Sequence, residues 1–164
     1  MLVLGIDPGT ATTGYALVRE VGGRQVQLVN YGVIRTPSNR PMAERLKKLY
    51  HDLSDVIAGS QPDQAAVEEL FFSRNVTTAL SVGQARGVAM LAAAEAGLPV
   101  YEYKPRAVKQ AVVGYGNASK EQVQQMVRVL LGIEEIPRPD DAADAVAVAI
   151  CHIHSAPFDT LVEK

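Results

Sequence analysis

Cysteine and tryptophan are almost missing from this chain: of 164 residues one is cysteine, Cys151, and none is tryptophan. A single cysteine excludes an intrachain disulfide and a cysteine-cluster zinc site, and suits a reducing compartment. No apolar run approaches the ~18 residues that a membrane span needs, so no membrane role is expected. The first basic residue is Arg19, and the start of the chain therefore lacks the charged segment of a secretory signal. A cytoplasmic protein is the expectation. Internal repeats, low-complexity tracts and linker-like composition are also lacking. With a length typical of one unit, residues 1–164 are read as a single domain.

Neither sign of charge is in excess. Sixteen Lys and Arg stand against eighteen Asp and Glu, a balance that argues mildly against a nucleic-acid partner, whose phosphates need a basic footprint. The distribution says more. Between Leu70 and Lys120 lie six basic residues (Arg74, Arg86, Lys104, Arg106, Lys109, Lys120) and two acidic ones, Glu95 and Glu102. That stretch carries +4 and the remainder of the chain −6, which leaves room for one basic face on an acidic body.

What is present is a clear alternation of periods. Leu2–Ile6 is a short apolar run stopped by Asp7-Pro8-Gly9, a strand ending in a turn. Gly14–Val18 reads as a second strand, and Gly22-Gly23 leads into a third that carries Val26, Leu28, Val33 and Ile34. From Pro41 to Gly59 the apolar residues fall at helical spacing. Ala65–Glu68 is a strand, Val76–Ala96 a long helix, and Leu98–Tyr103 another strand. Helices follow from Pro105 to about Val113, from Ser119 (capping-box spacing to Gln122) to Gly132, and from Pro139 to about Ser155. Antiparallel strands followed by βα alternation predict an α/β fold: a mixed five-stranded sheet with helices on both faces.

The helix over 76–96 is apolar most of the way round, and an apolar face beyond the one laid on a sheet wants a partner. Gly83 and Gly87 would let another helix come close. Either a neighbouring helix of the same chain covers this face or a second copy of the chain does; Arg86, in its middle, is read as an interface residue.

Four carboxylates stand out. Asp7 ends the first strand beside a tight glycine turn, where it either caps the turn or meets a cation. Glu68 ends an apolar strand, where an isolated charge is strongly disfavoured. Asp140, Asp141 and Asp144 open the last helix. The helix dipole accounts for acids in the first turn, but less well for Asp144, set among alanines, which shares a helical face with Asp141. If Asp7, Glu68, Asp141 and Asp144 converge, their pKa values rise unless cations sit among them. Oxygen-only ligands suit Mg²⁺ or Mn²⁺. Two such ions can assist in-line displacement at a phosphate.

These residues fall in a recognisable series: Ile6-Asp7-Pro8-Gly9 with Thr13-Gly14-Tyr15, Val67-Glu68-Glu69-Leu70-Phe71, Gly83-Gln84-Ala85-Arg86-Gly87, Val108-Lys109-Gln110 and Asp141-Ala142-Ala143-Asp144-Ala145. In order and spacing they resemble the bacterial RuvC family, Holliday-junction resolvases of the RNase H-like superfamily, from the first strand to about His154. The resemblance implies a homodimeric, Mg²⁺-dependent endonuclease that nicks two strands of like polarity across a four-way DNA junction, with Mn²⁺ as a substitute, in homologous recombination and repair. It implies catalytic and metal-holding roles for Asp7, Glu68, Asp141 and Asp144, an aromatic at the junction core at Phe71, and lysines near the cut phosphate at Lys109 and Lys120. It also implies cooperation with a RuvA–RuvB branch-migration complex, and hence work at the bacterial nucleoid. The chain departs from the family in its Asp140-Asp141 doublet and in having one basic residue, Lys164, after Arg138.

Smaller signals fit beside this. Phe71-Phe72 either pack under a loop or offer stacking surfaces for unpaired bases. Lys120 sits in a first helical turn, against the dipole, which favours phosphate contact. Arg74 is read as a backbone contact or solvated surface. Cys151, His152 and His154 are read as a buried cysteine with surface histidines rather than a metal site.

Overall fold

The computed structural model describes residues 1–70 and 75–162, the side chains of 156–162 excepted. Five strands form one sheet in the order β3-β2-β1-β4-β5. β1 (Leu2–Asp7), β2 (Thr12–Glu20) and β3 (Val26–Arg35) pair antiparallel through short turns. β4 (Gln64–Glu68) lies parallel to β1 after helix α1 (Met42–Ser60), and β5 (Val100–Tyr103) lies parallel to β4 after α2 (Val76–Glu95). Parallel neighbours need such crossovers. Helices α3 (Pro105–Val113), α4 (Lys120–Leu131) and α5 (Asp140–Val162) complete the described chain. Each expected element is found, with shifted ends: β1 takes in Asp7, and α5 runs seven residues beyond Ser155.

Strand alternation sorts the core into two layers. On β1, Leu2, Leu4 and Ile6 join Leu49, Leu53 and Ile57 of α1 and Ala85, Ala89 and Ala92 of α2. Val3 faces the other way, with Ala16 and Val18 of β2, Ala66 of β4, and helices α3, α4 and α5. Because successive strand residues point to opposite faces, Gly5 and Asp7 share the face of Val3, Gly14 that of Ala16, and Glu68 that of Ala66. The two strand-end acids therefore emerge on the side that α5 covers.

How closely α5 comes is set by two glycines. A Cβ at Gly5 would lie 2.1 Å from the Ala145 carbonyl oxygen, and one at Gly14 would lie 1.9 Å from that of Asp141. Neither position has room for a side chain. Opposite them α5 offers Ala142, Ala143, Ala145 and Ala149, each at most 2% exposed. Small residues on both surfaces thus let a helix backbone lie almost on the sheet, with the helix start against the open ends of β1 and β2.

α4 begins with the expected capping box, in which Ser119 and Gln122 each satisfy the other's backbone N–H, and it closes at Gly132 with φ +63°. That cap fixes Lys120 at the helix start, facing α5. Among the described residues no helix is long and apolar enough to cross a membrane.

Candidate active site

Asp7, Glu68, Asp141 and Asp144 come together where β1, β4 and the first turns of α5 meet. Burial pushes the Asp7 carboxyl up to about 8, helped by the charges of Asp144, Glu68 and Asp141 and opposed by Lys120. Glu68 is raised to about 7, again first by burial and then by Asp144, while Lys109 and Lys120 pull it down. Asp144 is also raised, by burial, with Lys120 opposing and Asp141 and Asp140 adding to the rise. Burial is the first cause in all three and the neighbouring carboxylates add to it, so a cation placed among them would favour their ionised forms.

Lys120 supplies part of it. Its Nζ lies 3.3 Å from Asp144 Oδ2 and 3.4 Å from Asp140 Oδ2. Partial burial disfavours its charge, but the two aspartates outweigh that and its pKa ends above the usual value. Asp140 is the exposed member of the doublet. It accepts a hydrogen bond from Gln124 Nε2 at 3.1 Å, and this with Lys120 holds it below its ordinary range. Asp141 is the one whose backbone rests on Gly14 and whose charge reaches Asp7.

Glu68 stands between two clefts. One, of about 210 Å³, is lined by Glu68, Asp144, Lys109, Lys120 and the apolar Pro105, Val108 and Val123. The other, of about 250 Å³, runs past Asp7, Pro8 and Glu68 toward Thr78, Val82 and Arg86 of α2. A cleft walled by carboxylates, with lysines on one side, suits a phosphodiester, whose negative charge the acids alone would repel.

The donor set fits divalent cations of the hard, oxygen-seeking kind: carboxylates only, in a partly buried cleft. Among the described residues no three His, Cys, Asp or Glu side chains form a group that could hold an ion as placed. Asp140 and Asp144 are turned to Lys120 instead.

The turn that carries Asp7 is held from several sides. Thr13 Oγ1 donates to the Gly9 carbonyl at 2.7 Å, and Thr10 Oγ1 donates to the Ser81 carbonyl of α2 at 2.8 Å. Thr36 Oγ1 donates to the Thr10 carbonyl at 2.5 Å and accepts from Arg45 Nε at 2.9 Å. None of these supports was expected from the sequence; only the clustering of threonines about the turn hinted at them.

Other expectations need correction. Arg86 turns inward within the chain, with Nε 3.4 Å from the Glu68 carbonyl and Nη2 ion-paired with Glu102. Cys151 is buried as expected, but His152 is not on the surface. It lies against Tyr101, with Nδ1 2.6 Å from Tyr103 Oη and Nε2 2.5 Å from Gln64 Oε1. His154 is half-buried, 3.1 Å from the Arg24 carbonyl. Phe71, Phe72 and Arg74 lie outside the described residues.

The alternatives for α2 narrow. α1 covers the face of Ala85, Ala89 and Ala92, yet Val76, Leu80 and Leu91 remain 69%, 66% and 52% exposed. With Gly83 and Gly87 they form one stripe at helical spacing.

Several known proteins similar to this chain fall in one family. The family model described as crossover junction endodeoxyribonuclease RuvC matches residues 3–152. The protein of that name from Desulfitobacterium hafniense is 63% identical over 155 residues, 94% of this chain and 93% of its own length. That from Heliobacterium modesticaldum is 64% identical over 155 residues, 94% and 95% of the two chains. The structure of T. thermophilus RuvC in complex with a Holliday junction substrate superposes with a TM-score of 0.92 at 42% identity, covering 98% of this chain and 97% of that one.

Proposed function

The chain belongs to the RuvC family of crossover junction endodeoxyribonucleases, and we propose that its Asp7, Glu68, Asp141 and Asp144 carry the cleavage that this membership assigns to it. It is a Holliday-junction resolvase with the RNase H-like fold, acting in DNA recombination and repair. The observation that supports the proposed site is that acids from β1, β4 and α5 meet in one partly buried cleft, where burial first and neighbouring carboxylates second raise Asp7 to about 8 and Glu68 to about 7.

The family depends on divalent metal, and the four acids would hold it, as two Mg²⁺ ions per site with Mn²⁺ able to replace them. When bound, such ions supply Lewis acidity to the phosphate and to the attacking water. The protein's own part is positioning and charge. The Gly5 and Gly14 contacts seat Asp141 and Asp144 opposite Asp7. Lys120 is then drawn away from Asp144 toward the phosphate, where with Lys109 it offsets charge developing on the non-bridging oxygens. Water attacks in line and the 3′ oxygen departs, leaving a 5′-phosphate and a 3′-hydroxyl that a ligase can rejoin.

Resolution needs two symmetric cuts, and a homodimer built on the exposed α2 stripe supplies two sites. Phe71 and Phe72, which follow Glu68 and Glu69 after the single residue Leu70, would then stack at the junction core, with Arg74 on the backbone. Cooperation with RuvA–RuvB, and a place in the cytoplasm at the nucleoid, complete the reading.

The test is cleavage of a mobile four-way junction beside linear duplex, with Mg²⁺, Mn²⁺ or chelator. Paired, metal-dependent nicks in the junction alone are expected, and Asp7→Asn is expected to abolish them while sparing junction binding. Cleavage retained by Asp7→Asn would remove Asp7 from the site.

A further inference from the structure

We propose that Arg86 is a positioning residue for Glu68, supplying a hydrogen-bond donor that the strand ladder withholds from the Glu68 carbonyl. This rests on the reading of Glu68 as a catalytic acid. Along β4 the N–H groups of Ala65 and Glu69 donate to the carbonyls of Pro99 and Tyr103, on the β5 side. Backbone groups alternate along a strand, so those of Ala66 and Glu68 face β1. There the register pairs Ile6 with Val67, which sets Asp7 opposite Glu68. In a parallel ladder the donor to the Glu68 carbonyl is then the residue after Asp7. That residue is Pro8, which has no N–H.

Arg86 Nε fills the gap, 3.4 Å from the Glu68 oxygen. Its Nη2 is ion-paired with Glu102 on β5, and the side chain is only 20% exposed. A guanidinium is a rigid planar fork, so anchoring one arm on Glu102 aims the other at Glu68. The end of β4 is thereby held on both sides: by Tyr103 through the Glu69 N–H, at 2.8 Å, and by Arg86 where β1 has nothing to offer. A glutamate carboxylate lies three rotatable bonds from its backbone, so looseness at the strand end is passed on to the carboxylate. Pro8 makes the tight turn after Asp7 and costs Glu68 its ladder bond; Arg86 restores the bond from another element.

Single-turnover junction cleavage, junction affinity and dimer mass, measured on Arg86→Gln, Glu102→Gln, the double variant and Glu68→Gln, test this. Arg86→Gln is expected to lower the cleavage rate about tenfold or more, with junction affinity within twofold and the dimer intact. Glu102→Gln should lose less, and the double variant no more than Arg86→Gln alone, because both act through one bond. If Arg86→Gln does not fold, Arg86→Lys carries the test: it keeps a cation beside Glu102 but lacks the second arm, and should lose rate at unchanged affinity. Full activity in Arg86→Lys overturns the proposal, as do additive losses in the double variant. A parallel loss of affinity makes Arg86 a DNA contact, and loss of the dimer an interface residue; either result overturns it. Glu68→Gln separates the two readings: if it cleaves normally, Glu68 is not catalytic, whereas an inactive Glu68→Gln beside a fully active Arg86→Gln refutes the positioning role alone.

Discussion

Replacing Gly14 by alanine tests the seating of α5 on the sheet. The new Cβ would stand 1.9 Å from the Asp141 carbonyl oxygen, 2.3 Å from its carbon and 3.0 Å from the Ala142 nitrogen. A carbon approaches a carbonyl oxygen to about 3.3 Å at closest, so the start of α5 must retreat by ~1.4 Å. All three atoms are backbone, and no side-chain rotation relieves the clash. Overpacking of this kind costs about 1–3 kcal/mol, and the better strand propensity of alanine offsets about 0.5–1 kcal/mol. The protein should therefore stay folded at 25 °C with a melting temperature lowered by a few degrees. The effect on cleavage is larger, because Asp141 and Asp144 move with the helix away from Asp7. A misplacement of ~1 Å costs on the order of 100-fold in rate. Single-turnover junction cleavage well below the melting temperature, with junction binding measured beside it, separates the two effects. Gly59→Ala is the control: it lies in the last turn of α1 with nothing within 4 Å of its Cβ, and should be stabilising by about 0.5–1 kcal/mol with no change in rate. Normal cleavage by Gly14→Ala would refute the claim that the close helix approach places the acids.

Without metal, stability should fall as pH rises from about 4 to about 8. Over that window folded Asp7 and Glu68, raised to about 8 and 7, keep protons that the unfolded chain releases. Mg²⁺ should therefore raise the melting temperature more at pH 8 than at pH 5, and an equal shift at both would contradict burial as the cause. Lys120→Ala should slow cleavage by about 10-fold or more and reduce the salt dependence of junction binding by up to one charge; sedimentation of the variant should show the dimer unchanged. Leu80→Glu, on the stripe where Leu80 is 66% exposed, should give monomers by light scattering while leaving the monomer's melting temperature within a few degrees. A dimer that survives that charge would move the interface off α2.

The elements that place the acids were legible because the physics that places them is local. Alternation along β1 and β4 puts Asp7 and Glu68 on one face whatever surrounds them, and the i, i+3 spacing of Asp141 and Asp144 does the same on α5. Convergence itself needed Gly5 and Gly14, whose value lies in what touches them and not in their own conformation. His152 was misread for a similar reason. Its partners, Gln64 and Tyr103, are 88 and 49 residues away, and an imidazole in an apolar run reads as a surface residue until both its nitrogens are accounted for. Arg86 is the most instructive case. α2 is small or apolar most of the way round, so no polar stripe marks which face looks inward, and a lone arginine there could as well belong to a seam. What orients it is a vacancy elsewhere, the missing N–H of Pro8 opposite the Glu68 carbonyl. That vacancy becomes visible only when the register of β1 against β4 is known. The Asp-Pro-Gly turn that sequence reading assigns to Asp7 thus also sets the demand that Arg86, from a different element, meets at Glu68.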